Sequence, residues 1–261
     1  WEKLVKRINR AKARTLYVKW IAAAVLLGVV FLAGVGYHRF WPDSPTESYT
    51  QIIAPQGRKT QVILPDSTLV WLNSGAELKY PTTYSSENRN LQMKGECFFD
   101  VKKDARHPLL VRGSHFNIKV IGTRFNVNDQ DAGKVLNVIL VSGEIQVLNM
   151  DKRPIIKLTP GQQLSLKNGK AQVFPAQNIE AQTAWLNDML VFEDQPFEEV
   201  ISCLEKWYNV KINLDHGLYY KHNYTFKVKT ESLREVLGLI SVITPISYRI
   251  EGNQVTIYAK K

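Results

Sequence analysis

Three hydrophobic rhythms follow one another along the chain. The first is continuous: Trp20 to Tyr37 (WIAAAVLLGVVFLAGVGY) runs 18 residues without a charge, and at about 1.5 Å rise per residue a helix of that length covers roughly 27 Å. It predicts a single transmembrane helix over 20–38. Leu26, Val30 and Phe31 form its apolar body, while Trp20, Tyr37 and Trp41 sit where amphipathic rings meet the two headgroup layers. The small residues Ala33, Gly34 and Gly36 also fit a cleaved signal peptide. Against that stands the preceding pattern of Trp1, Leu4, Val5 and Ile8, itself helical in spacing. Pro42 and Pro45 among small polar residues make 39–48 an extended tether.

The second rhythm has period two. From Tyr49 to Phe174 short alternating runs (TQVIL, TLVWLN, AELKYP, ECFFDV, FNIKVIG) are punctuated by turn signals at Pro65-Asp66-Ser67, Ser74-Gly75, Ser142-Gly143, Pro160-Gly161 and Asn168-Gly169. This predicts an all-β domain over 49–174. Sandwich, barrel and β-solenoid share the same inward and outward alternation, so the period leaves them open. Polar residues 175–184 read as a linker or surface helix. The third rhythm, over 185–261, mixes the periods: Phe197, Val200, Ile201, Leu204 and Tyr208 form one helical stripe, and Leu233, Val236, Leu237 and Ile240 form another behind a capping box at Ser232–Glu235. With VKINL, YTFKVK, SYRIE and QVTIY between and after them, the prediction is a small α+β domain of two βαβ halves.

The net charge of +10 changes the picture only by its location. Residues 1–41 carry +7 of it, leaving an ordinary +3 on the remainder. Nucleic-acid binding by the folded part therefore loses its support. Basic residues before the helix and Asp43 and Glu47 after it place the N-terminus in the cytoplasm and the bulk outside. The chain opens on Trp1 rather than Met, which suggests that a cytoplasmic portion lies upstream of a truncated basic segment 1–19. Cys97 and Cys203 stand in no metal-ligand spacing and read as two small buried apolar side chains rather than a disulfide.

Catalytic chemistry finds no anchor. The five histidines form neither HxxxH nor HExxH, and no GxGxxG, P-loop or GxSxG occurs. No cofactor is implied. Asp66, Glu96 and Asp100 are better explained by turns and strand starts than by acid–base pairing. Trp71, Trp185 and Trp207 suit core packing better than a sugar-stacking platform. What remains is surface: Val210, Lys211 and Ile212 in VKINL, and Thr225, Phe226, Lys227 and Val228 in TFKVK, are natural sheet edges on which a partner strand could add. The competing explanation is that their lysines keep those edges unpaired.

Five blocks follow in order: Leu64-Pro65-Asp66-Ser67 with Val70-Trp71-Leu72-Asn73-Ser74; Gly95-Glu96-Cys97-Phe98-Phe99-Asp100-Val101; Val120-Ile121-Gly122-Thr123-Arg124-Phe125-Asn126-Val127; Val141-Ser142-Gly143-Glu144-Ile145-Gln146-Val147; and Leu158-Thr159-Pro160-Gly161-Gln162. Together they resemble the FecR family of inner-membrane sigma regulators. Pro65, Asp66, Gly95, Glu96, Gly122, Thr123, Phe125, Gly143, Pro160 and Gly161 are their structural positions. Trp185 to Ala259 is similar to the STN signalling module that follows in many members. The resemblance implies a β-solenoid-like first domain and a relay. The periplasmic part receives the signalling domain of an outer-membrane TonB-dependent transducer, and the cytoplasmic part, mostly upstream of Trp1, acts on an extracytoplasmic-function sigma factor. The rival is a membrane-tethered periplasmic glycan or envelope-polymer binder, for which Trp71 would be a stacking ring.

Overall fold

The structure is a computed structural model that describes residues 20, 23–37, 48–130, 135–167, 170–215 and 222–260. The basic segment 1–19, Trp41 with most of the tether, and the Asn168-Gly169 turn lie outside the described residues. The chain divides into two compact units, Trp1–Glu47 and Ser48–Lys261.

In the first unit residues 23–37 are helical and form α1. No helix among the described residues is long and apolar enough to cross a membrane. The single-spanning helix expected over 20–38 is thereby corrected, and Trp20, Leu26, Val30, Phe31 and Tyr37 are exposed side chains.

The second unit begins with thirteen strands: β1 (Tyr49–Ile53), β2 (Thr60–Ile63), β3 (Leu69–Leu72), β4 (Glu77–Pro81), β5 (Asn90–Asp100), β6 (Leu109–Arg112), β7 (Asn117–Val120), β8 (Arg124–Gln130), β9 (Val135–Ser142), β10 (Ile145–Leu148), β11 (Pro154–Leu158), β12 (Gln162–Lys167) and β13 (Lys170–Pro175). They form one sheet along the path β11-β10-β7-β6-β5-β8-β9-β12-β13, with β4 and β1 on one branch and β3 and β2 on another. The eleven-residue β5 is the junction. Its first half pairs with β4 and β6, its second with β3 and β8. Leu91 and Met93 from the first half and Cys97 and Phe99 from the second enter the same core, where Phe99 stacks on Phe125 at 5.0 Å. Each such fully buried apolar side chain contributes roughly 1.5–3 kcal/mol before entropy is counted. The expected solenoid or two-sheet sandwich is corrected to this single continuous sheet. Alternation fixes which side chains face the core, but not the partners of each strand, and β7 skips to β10 while β5 pairs in parallel with β6.

After a short helix α2 (Ile179–Thr183) and one 3-10 turn come β14 (Leu190–Pro196), α3 (Phe197–Tyr208), β15 (Lys211–Leu214), β16 (Asn223–Val228), α4 (Leu233–Ile243), β17 (Ile246–Glu251) and β18 (Gln254–Ala259). Both helical stripes bury their apolar faces in a second core, and the Ser232–Glu235 capping box is present. The two βαβ halves need correction. β14 pairs antiparallel with β16, and β15 runs parallel to β18 beside β17, so each helix carries the chain from one small sheet to the other. Both cysteines are free, and Cys203 is exposed rather than buried.

Candidate functional site

Alternation puts the even-numbered residues of β5 and β8 on the face opposite the main core. Phe125 and Val127 point inward, leaving Asn126 and Asn128 outward, and Glu96 leaves β5 on the same side. Strand register lines them up: Glu96 lies opposite Asn128, and Asn128 opposite Asn137 of β9. Asn73, just past β3, joins the row by donating its backbone N–H to the Glu96 carbonyl at 2.9 Å. A row of carboxamides and one carboxylate thus crosses four strands.

This row is the floor of a cleft of about 1050 Å³. Its walls come from β14, from Trp185 in the 3-10 turn, and from Glu199, Cys203, Lys206 and Trp207 on α3. Lys59 closes one end. Its ammonium pairs with Asp188 at 2.9 Å and donates to the carbonyl of Leu186 at 2.6 Å. Ile139, Ala184 and Trp185 are buried without belonging to either core, which marks the seam between the two lobes.

Glu96 is the chemical centre of the floor. Gly95 precedes it with φ +79°, a conformation that costs other residues strain, and a side chain there would press on Ala76 at 3.1 Å. Asn73 Nδ2 donates to one carboxylate oxygen at 2.9 Å and Asn126 Nδ2 to the other at 2.8 Å. The residue retains some accessible surface towards the cleft, yet its carboxylate is ringed by protein. Burial pushes its pKa up, and the two amides and the nearby Lys206 charge only partly oppose this. Asn126 Oδ1 and Trp185 Nε1 are buried and have no hydrogen-bond partner among the described residues.

The other motif residues are structural. Asp66 accepts from the Thr68 N–H at 3.0 Å and forms a buried ion pair with Arg89 Nε at 2.7 Å. Pro65 belongs to the same tight turn, closed by Ser67 N–H donating to the Leu64 carbonyl. Gly143 has φ +90°, and a Cβ there would meet the Gly122 carbonyl at 2.6 Å. Beside it the Thr123 hydroxyl donates to the Glu144 carbonyl at 2.9 Å, so two distant motif blocks form one corner. Pro160 and Gly161 turn the chain between β11 and β12. Trp71 meets Phe98 edge-on at 5.8 Å, whereas Trp185 and Trp207 border the cleft.

The candidate edges fall in different sheets. Val210, Lys211 and Ile212 lead into and occupy β15, whose outward Ile212 N–H is already taken by the Glu205 carboxylate at 2.7 Å. Thr225, Phe226, Lys227 and Val228 lie on β16, and among the described residues no strand covers its edge away from β14. Sequence reasoning missed Arg89, Asn128, Asn137 and Lys206. For Asn128 and Asn137 the signal was available, since polar amides alternate with buried residues in FNVN and LNVIL; their alignment needed the register.

The FecR protein family matches residues 50–146, and the FecR C-terminal family matches 189–257. Two crystal structures of a candidate anti-sigma factor from Parabacteroides distasonis superpose with a TM-score of 0.70 at 32% sequence identity. They cover 81% and 82% of this chain and 100% of their own. Among curated proteins none matches the chain.

Proposed function

The chain belongs to the FecR family of anti-sigma regulators, and from that premise we propose that its Ser48–Lys261 unit works in the periplasm as a receiver. The signalling domain of an outer-membrane TonB-dependent transducer docks on it, and the event is relayed to an extracytoplasmic-function sigma factor. The observation that carries the proposal is that the FecR family matches residues 50–146 and the FecR C-terminal family matches residues 189–257, both within one compact unit. The docking edge assigned here is β16. Its exposed Thr225 and Lys227 flank an uncovered backbone edge, where main-chain hydrogen bonds give affinity and alternate side chains give selectivity. β15 is the poorer edge because Glu205 already caps it.

The test is a reporter driven by the sigma factor's own promoter, read in cells that carry the full chain with a photo-crosslinking residue at Lys227 or, as comparison, at Asn213. Inducer is expected to raise the reporter and to give a crosslink to the transducer's signalling domain from position 227 only. A reporter indifferent to loss of the chain rejects the regulator. A crosslink from 213 alone rejects the β16 edge.

A further inference from the structure

The cleft between the lobes has a chemistry that strand docking does not use. Asn128 and Asn137 stand opposite each other on its floor, half-buried, and neither amide has a side-chain partner among the described residues. A carboxylate offers about four lone-pair positions, and Glu96 uses two of them on Asn73 and Asn126. Two buried polar atoms along the same walls, Asn126 Oδ1 and Trp185 Nε1, also lack partners. A buried polar group left unmade costs about 1–3 kcal/mol. Five side chains that line the cleft therefore hold unspent hydrogen-bonding capacity.

The shape and charge of that space narrow its occupant. Five carboxylates line the cleft (Glu96, Asp188, Glu193, Asp194 and Glu199) against three cations (Arg58, Lys59 and Lys206), and Lys59 is committed to Asp188. An anion is disfavoured. No three His, Cys, Asp or Glu side chains among the described residues could hold a metal ion. An apolar ligand would seal the amides away unpaired. A peptide gains most from a strand edge, but the floor is a sheet face that offers side chains only. Groups on adjacent strands repeat every 4.7–4.9 Å or so, close to the length of one pyranose ring, and each carboxamide both donates and accepts, as sugar hydroxyls do. Trp207, half-buried on α3, borders the same cleft with a ring suited to the apolar face of a sugar.

We propose that this cleft is a binding site for a neutral oligosaccharide laid across the Asn73–Glu96–Asn128–Asn137 row, with Trp207 as its stacking surface. The chain would then sense a sugar directly, in addition to any message from a transducer. The site stands whether or not the β16 docking edge is correct.

The full chain is titrated by calorimetry and tryptophan fluorescence with cellohexaose, maltohexaose, laminarihexaose and chitohexaose, with hexagalacturonate and hexa-alanine as comparators. At least one neutral hexaose is expected to bind saturably. The N128A/N137A pair should weaken it at least about tenfold, the loss of roughly two neutral hydrogen bonds, and Trp207→Leu should weaken it independently; Asn213→Ala, in β15, should not. Saturable binding of no neutral hexaose, tighter binding of the anion or the peptide, or binding indifferent to both cleft variants overturns the proposal. The sigma reporter separates the two readings: a wild-type chain that never restrains the reporter defeats the regulator reading and leaves the sugar site standing.

Discussion

Asp66 and Glu96 are both motif carboxylates enclosed by protein, yet their surroundings differ. Asp66 and Arg89 are 4% and 1% exposed at the side chain. The buried Tyr84 hydroxyl nearby has no hydrogen-bond partner among the described residues, but the pair itself is densely bonded: Arg89 donates to Asp66, to the His107 and Lys102 carbonyls and to the Thr68 hydroxyl. That hydroxyl in turn donates to Asp66 and accepts from the Lys102 N–H. Glu96 has two neutral amides and no cation in contact. The Asp66 carboxylate, filled by a guanidinium, a hydroxyl and a backbone N–H, has little left to offer a ligand, so its work is to tie the β2–β3 turn to β5 and to the Lys102–His107 connection. An undersaturated carboxylate at the floor of a cleft keeps capacity for a visitor.

Cutting the Asp66–Arg89 pair should have the largest effect. Arg89→Met leaves Asp66 charged, buried and unpaired, and is expected to cost about 3–5 kcal/mol in urea unfolding. Replacing both partners, Asp66→Leu with Arg89→Met, removes the stranded charge and should recover part of that loss. A single variant that costs less than about 1 kcal/mol would mean that the two carboxylates are not so different after all. Thr68→Val comes next. It removes a hydroxyl that is 0% exposed and makes three hydrogen bonds while keeping the shape, and it should cost about 1–3 kcal/mol by the same measurement.

The contrast also explains what the sequence could reveal. Asp66 was legible as a turn residue because Pro-Asp-Ser is local chemistry, and its bond to the Thr68 N–H is such a turn contact. Its ion pair was not legible: Arg89 lies 23 positions away in a polar stretch with no pattern of its own. The same divide runs through the fold. The strands of the β lobe, the two helical stripes and the capping box were readable because each follows a local period. Three features depend on which strands become neighbours, which no period encodes: the sharing of β5 by both halves of the sheet, the exchange of strands between the two small sheets, and the alignment of Glu96, Asn128 and Asn137. The long apolar run near the start misled in the opposite direction, since composition alone suggested a spanning helix and no helix among the described residues is long and apolar enough to cross a membrane.

The smallest effect is the most discriminating, because its sign is opposite. Burial holds the Glu96 proton more tightly in the folded chain than in the unfolded one. The folded state therefore binds more protons, and stability is lost as pH rises above the ordinary glutamate range until the folded carboxyl has itself ionised. Glu96→Gln removes that penalty. It also gives the Asn126 Oδ1, now without a partner, an amide donor if the Asn126 carboxamide turns over. The variant should match wild type in acid and exceed it at neutral pH by about 1 kcal/mol, one hydrogen bond's worth, while its affinity for any cleft ligand falls. Urea midpoints taken from pH 4 to pH 8 decide it. A difference that is flat with pH, or a variant weaker than wild type at pH 7, would place Glu96 with Asp66 as a structural carboxylate and remove the basis for treating the cleft as a site.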